Sequence, residues 1–400
     1  MSEPAIPSPP PDFSLVLCGP LYQLFRRAHL TGDALQLLRR RVLVLAGVAW
    51  IPLLVLSAFA GHAWGSTIAV PFLQDVEAHV RFLVALPILI AAEIVVHLRL
   101  RPVIAQFVER GIVTEQDMPR FREAIDSTRR VRNSVFAEIT LLLLVYTVGL
   151  WVWKNQIALG AASWYASPEA GHTNLTPAGH WYAFVSVPIF QFILVRWYFR
   201  FFLWFSFLWR VSRLDLRLVP IHPDRAGGLS FLGRSSYAFA PILFAQGALL
   251  SALIASQIFY AGRNLLAFKV EIVSFVAFFV AIVLSPLAVF SPKLSRAKRQ
   301  GMADYGTLAS RYVGEFENKW VGAGASTSEP LLGSADIQSL ADLANAYEVV
   351  SKTRLVPFGP RELLAVACAA LVPMLPVALL DIPLTELLAK LGGAVLGKPG

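Results

Sequence analysis

Five ionisable side chains stand inside long apolar runs, where charge is expensive to keep. Glu93 and His97 share one helical face of a run that opens near Arg81, and Glu138 lies just inside the run Ser134 to Trp153. Arg196 and Arg200 lie four apart in HWYAFVSVPIFQFILVRWYFRFFLWFSFLWR, His180 to Arg210. Two carboxylates, two guanidiniums and an imidazole at similar depth have the chemistry of a proton relay or of a binding site for an ion or small solute. The competing reading is a set of packing salt bridges, in which opposite charges cancel one another's desolvation cost and Arg200 and His97 reach toward the interface. Glu93 is the deepest of the five and the least able to reach water, so it is the residue most expected to do more than pack.

A second group, His222, Asp224 and Arg225, sits in HPDRAGG before two glycines. Imidazole, carboxylate, guanidinium and permissive backbone could bind phosphate or a metal. A lone His and Asp fall short of a metal site, however, and the strand and helix that flank a phosphate loop are missing. The expectation is a structural turn leading into the next span. GxSxG, HExxH and Walker signatures are all missing, and no nucleophile stands beside a base, so an enzyme is not expected. No cofactor is implied. Cys18 and Cys368 are the only cysteines, too few for a disulfide framework or a thiolate metal site.

The elements that must position these groups are membrane spans. Hydrophobic residues make up 56% of the chain and charged residues 15%, which excludes an ordinary soluble domain. A formal charge of +9 would suggest nucleic acid in a soluble protein, yet here the lysines and arginines fall in the loops between apolar runs. They read as topology signals on a lipid bilayer, and nucleic acid is not expected.

Residues 1–12 are proline-rich and read as a tail, and residues 20–41 as a basic-ended helix before the first span, Val42 to Ala60. Ala58-Phe59-Ala60 resembles a cleavage site, but the apolar run is too long for a signal peptide, so a retained anchor is expected. Span two runs from Arg81 to about Leu98, with helix continuing to Arg110. Gly111 stops it, and Thr114 with Asp117 restarts a helix that could run unbroken through Arg129, Arg130 and Arg132 into span three, giving a hairpin at 99–133. Span four is the aromatic stretch above, its rings expected to pack. Tyr237 to Gly262 is span five and Val270 to Phe290 span six.

In residues 291–361, Met302, Tyr305, Leu308, Tyr312, Phe316 and Trp320 make the apolar stripe of an amphipathic helix over 294–320. A second helix over 336–352 is capped by Ser334 or Asp336. The pair is expected to dock on the span ends through its aromatic residues. The last span is Glu362 to Leu380, with a short amphipathic tail to Gly400.

The sequence thus predicts an all-α integral membrane protein of about seven spans: an N-terminal segment 1–41, a bundle 42–290, a helical segment 291–361 and a last span with tail 362–400. Of the 35 lysines and arginines, most fall in 1–41, 99–133, 210–236 and 291–361, which predicts an inner-membrane protein with a cytosolic N-terminus and an outer C-terminus. Intramembrane charge and prolines at Pro52, Pro87, Pro188, Pro241, Pro286, Pro373 and Pro376 favour a permeation protein, a channel or secondary transporter for an ion or small solute. A membrane scaffold, meeting a second copy or a protein partner through 291–361, is the alternative.

Overall fold

The computed structural model describes residues 13–16, 38–65, 68–149, 151, 163–169, 172–322 and 334–381. The expected tail 1–12, most of the helix at 20–41, part of the loop at 154–179 and the tail beyond residue 381 lie outside them.

Ten helices organise the described chain: α1 Leu38–Phe59, α2 Val76–Glu109, α3 Met118–Arg132, α4 Val135–Gly149, α5 Pro177–Val211, α6 Ser230–Ala261, α7 Leu265–Ala288, α8 Ser291–Phe316, α9 Ala335–Ser351 and α10 Pro360–Leu379. Six of them, α1, α2, α5, α6, α7 and α10, are long and apolar enough to cross a membrane, as a multi-pass protein requires, and a seventh arises if α3 and α4 count together. The only strands among the described residues are Ala166–Glu169 (β1) and His172–Leu175 (β2), an antiparallel ribbon pairing Ala166 with Leu175.

The expected unbroken helix into span three is broken. Asn133 donates its N–H to the Arg129 and Val131 carbonyls and closes α3, while the Ser134 hydroxyl accepts from the Ala137 N–H and opens α4, so the two helices meet at 49°. A serine that can cap competes with helix continuation, because its side chain satisfies a donor the helix would otherwise have to pair. α4 then lies at the edge of the bundle, with Phe136, Ile139 and Leu143 exposed.

α2 begins at Val76, five residues before the expected start at Arg81. Asp75 sets the start by accepting the Ala78 N–H at 2.9 Å, and its carboxylate suits the positive end of the helix. α2 therefore carries Glu77 and Arg81 as well as Glu93 and His97. Both α2 and α5 contain a widened π turn, Val80–Ala85 and Tyr182–Ser186, in which Leu86 donates to the Arg81 carbonyl and Val187 to the Tyr182 carbonyl five residues back. A proline follows each turn, Pro87 and Pro188. Its missing N–H strands a carbonyl one turn earlier, and widening the turn is one way the backbone absorbs the loss.

α2, α5 and α6 form the middle of the bundle, and α6 is the most buried of the candidate spans. At Gly247 the α6 backbone lies so close to the Ala370 carbonyl of α10 that a Cβ would collide with it. Aromatic rings close one end: Phe107 of α2 meets Phe121, Phe231 and Phe290 at 5.2 to 6.4 Å. Span four packs as expected through Trp197, Trp204 and Phe207, all buried, while Phe202 and Trp209 stay exposed.

The helical pair of 291–361 departs from the expected docking. α8 is anchored only near its start, where Leu294 enters the core, Gly301 sits against Pro220 and Val350, and Lys298 donates to the Thr353 carbonyl. Further out, two of the expected docking residues turn to α9: Tyr312 donates to the Asp336 carbonyl and Trp320 to the Asp336 carboxylate at 2.9 Å, which Lys319 also bonds at 2.9 Å. Leu308, expected in the stripe, is exposed. With ~1.5 Å rise per residue, the 26 residues of α8 make a rod of roughly 39 Å.

Candidate functional site

Glu93 is the hub of the first constellation. Its carboxylate contacts Arg200 at 2.7 Å, Arg41 at 2.6 Å and Arg196 at 3.5 Å, and Arg196 also reaches Glu138 at 3.5 Å. The sequence-predicted residues Glu93, Glu138, Arg196 and Arg200 do come together, tying α2, α4 and α5. Arg200 also stacks over Trp197 at 4.5 Å, and the Trp197 indole donates to the Leu89 carbonyl at 2.9 Å.

Arg41 is the member that sequence reasoning missed. It reads as the last of three arginines marking the end of span one, yet it is almost wholly buried and joins α1 to the hub. Charge balance gave no signal for it, because the two carboxylates and two guanidiniums already cancel and call for no further cation. Among the described residues, three guanidiniums against two carboxylates leave one net positive charge. The void beside them is only about 10 Å³, the lower limit for a single water. The arrangement can hold four helices in register; it has no room for a solute.

His97 stands apart from the hub. Its Nδ1 lies 3.0 Å from the Ser14 hydroxyl, in a segment whose neighbours Phe13, Leu15 and Val16 are buried. Phe13 rests on Phe207 at 5.0 Å, and Arg132 bonds the Ser14 carbonyl. The imidazole thus helps seat an N-terminal segment in the bundle.

A second polar cluster lies along α2 at the other end of the bundle. Glu77 and Arg81 face each other at 3.6 Å, one turn apart, and Arg81 bonds the Tyr182 hydroxyl. Asp75 accepts from the Trp164 indole at 2.8 Å, and Trp164, Phe72, Tyr165 and Tyr182 form a ring-on-ring cap over this end. Sequence reasoning missed the cluster because it started the span at Arg81; the signal was Asp75 followed by Glu77, a cap and a first-turn acid. At ~1.5 Å per residue, Glu77 and Glu93 stand roughly 24 Å apart along α2, so the two clusters bracket most of a ~30 Å hydrocarbon layer.

Unlike the hub, this cluster opens into space. A crevice of about 460 Å³ runs from Glu77 and Arg81 between α5, α6 and α7, past Gln191 and Gln246. Gln246 donates to the Tyr198 hydroxyl at 2.6 Å, and Gln191 to the Gly149 carbonyl at 3.1 Å. Leucines, phenylalanines and Val187 make up the rest of its wall.

His222, Asp224 and Arg225 build the expected turn. One Asp224 oxygen accepts from the Ala226 and Gly228 N–H groups at 2.8 and 3.1 Å, and the other from Ser230 at 3.0 Å. Burial raises the Asp224 carboxyl, but those three backbone donors outweigh it and hold it below its ordinary range. His222 Nδ1 lies 2.9 Å from the same carboxylate. Arg225, Gly227 and Gly228 all take left-handed backbone, which only the glycines adopt without cost. The turn is clamped from outside, since Arg354 donates its N–H to the Arg225 carbonyl and a guanidinium N–H to the Asp224 carbonyl. With its carboxylate already committed to three amides, the motif serves the backbone. Among the described residues no three His, Cys, Asp or Glu side chains group as metal ligands. Comparison with known proteins adds no relative: no family model, no curated protein and no solved structure matches the chain.

Proposed function

We propose that this chain is a multi-pass permeation protein whose solute path begins in the crevice at Glu77 and Arg81 and not at Glu93. The observation that carries the reading is the contrast between the two clusters: the Glu93 hub encloses about 10 Å³, whereas the Glu77–Arg81 pair heads a crevice of about 460 Å³ with two glutamines along its wall. Paired charge and amide groups at bilayer depth are costly unless a path or a partner uses them. Seven crossings fit this reading. Asp117 bonds Asp215 at the arginine-rich end, and Trp164 donates to the Val70 carbonyl at the other, which supports a crossing between them by way of α4. The arginine-rich end is then cytosolic, in an inner membrane.

Purified protein in liposomes should pass small ions or solutes, and Glu77→Gln or Gln246→Leu should change that flux without lowering folded yield. Glu93→Gln should lower the yield instead. No flux over a panel of ions and small solutes would remove the permeation reading. One observation favours a scaffold in its place: the α8–α9 rod projects from the bundle with Leu308, Val313 and Ile337 exposed. A stable partner that co-purifies with the full chain, and is lost when those three residues become serine, would support it.

A further inference from the structure

We infer that the crevice between α5, α6 and α7 is a binding site for a zwitterionic amphiphile of the bilayer, with its ammonium on Glu77, its phosphate on Arg81 and its chains along the leucine wall. The inference names the ligand class of the crevice and rests on the permeation reading only for the claim that this ligand moves.

Three observations point to this class. First, the two charges of the head end pair with each other more loosely than those of the hub, although Glu77 also bonds Ser256 and Arg81 the Tyr182 hydroxyl. The Glu77–Arg81 separation is 3.6 Å, whereas the Glu93 contacts to Arg41 and Arg200 are 2.6 and 2.7 Å, so the buried hub closes on itself and the crevice pair does not. A ligand with both signs of charge satisfies both groups, which an isolated ion cannot. Second, the sign balance favours a head with a cationic tip. Among the described groups that interact at the head of the crevice, Asp75 and Glu77 oppose the single guanidinium of Arg81, and Tyr182 bonds Arg81 without adding charge. An anionic head without an ammonium would gain Arg81 and meet two carboxylates.

Third, the body of the crevice is made for chains. Below the pair the wall is Leu194, Leu249, Leu250 and Phe275, interrupted only by Gln191 and Gln246. Leu253, on the same wall, is exposed on the outer face of α6, so the crevice opens sideways where acyl chains would be. A crevice of similar size, about 440 Å³ between α2, α6 and α10, provides the contrast. Only Ser251 interrupts its apolar lining and no charged group heads it, so it offers chains a place and a headgroup none.

The test uses the full chain in nanodiscs made from equal parts phosphatidylethanolamine and phosphatidylglycerol, with native mass spectrometry reading the lipids retained. The expected result is preferential retention of phosphatidylethanolamine. Glu77→Gln should reduce that preference by about tenfold, in line with loss of a charge-assisted contact. Leu250→Trp, which fills the crevice and leaves the head pair intact, should release the retained lipid and keep the fold. Glycerophosphoethanolamine, the same head without chains, should not displace it. Equal retention of the two lipids, retention indifferent to Leu250→Trp, or displacement by the bare head would each overturn the inference. The permeation reading fails separately: lipid preference without flux or lipid transfer leaves the ligand site standing and removes the path, and flux of other solutes without lipid preference does the reverse.

Discussion

A glutamate buried among three arginines is an unusual balance, and the charge count decides what each substitution does. Removing Arg196 leaves two guanidiniums against Glu93 and Glu138, a neutral set. Removing Glu93 leaves, among the described residues, three guanidiniums against Glu138, with Arg41 and Arg200 deprived of their 2.6 and 2.7 Å contacts. Breaking a buried pair typically costs ~3–5 kcal/mol. We therefore expect Glu93→Gln to lie at the top of that range and Arg196→Gln below its lower end, measured as loss of thermal stability of the purified protein. Equal losses would mean that packing volume, and not charge count, sets the cost. Asp224 makes a second residue-scale test. Its carboxyl is held below its ordinary value, so the stability it contributes to the turn is fully present above that value and drains as pH falls through the lowered native one. Amide protection at Ala226, Gly228 and Ser230 should fall over that acid window, and Asp224→Asn should abolish the pH dependence.

At the scale of helices, two glycines that look alike in sequence behave differently. A Cβ at Gly247 would run into the Ala370 carbonyl of α10, whereas at Gly314, near the free end of α8, nothing stands nearby. Gly247→Ala should push α6 and α10 apart and cost stability, and Gly314→Ala should gain up to ~1 kcal/mol from helix propensity; denaturation of the two variants side by side checks the sign. Much of the helical plan was legible. Span four, the start of the last span at Pro360 and both helices of the rod follow from length, proline and capping signals that act locally. The break at Ser134 was hidden because a capping serine and a tolerated mid-helix serine look the same without the neighbouring carbonyl geometry. The burial of Arg41 was hidden for a different reason. An arginine at the edge of a span is ordinarily a topology marker, and only the approach of α2 to α1 turns it into a partner for Glu93. The docking expected of Tyr312 and Trp320 failed likewise, because an apolar stripe identifies a buried face but not what buries it, and here α9 does.

For the molecule as a whole, the two clusters on α2 and the ends they mark set the membrane frame. The Glu77 end carries the Trp164 cap and the β ribbon, and the Glu93 end carries the Asp224 turn and the root of the α8–α9 rod. If the layer between them is the hydrocarbon core, every loop at the Glu77 end faces one compartment and every loop at the Glu93 end the other. Single cysteines placed at Gly61, Asn174 and Arg263, in a chain whose Cys18 and Cys368 are replaced by serine, should then react together with an impermeant maleimide added outside intact cells. Cysteines at Arg217 and Ser310 should react only after the cells are opened. The choice of Asn174 matters, because Trp164 and Tyr165 are buried and a label there would be blocked by packing and not by the membrane. On the proposed seven crossings the chain leaves at the Glu77 end after α10, where Val377 packs with Ile254 and Phe268. A tag following Gly400 should therefore be reached from the same side as Asn174. Should Asn174 react with Arg217 instead, neither α4 nor α5, which lies between those two positions, crosses the membrane, and the seven-crossing topology on which the outer entrance of the crevice depends is wrong.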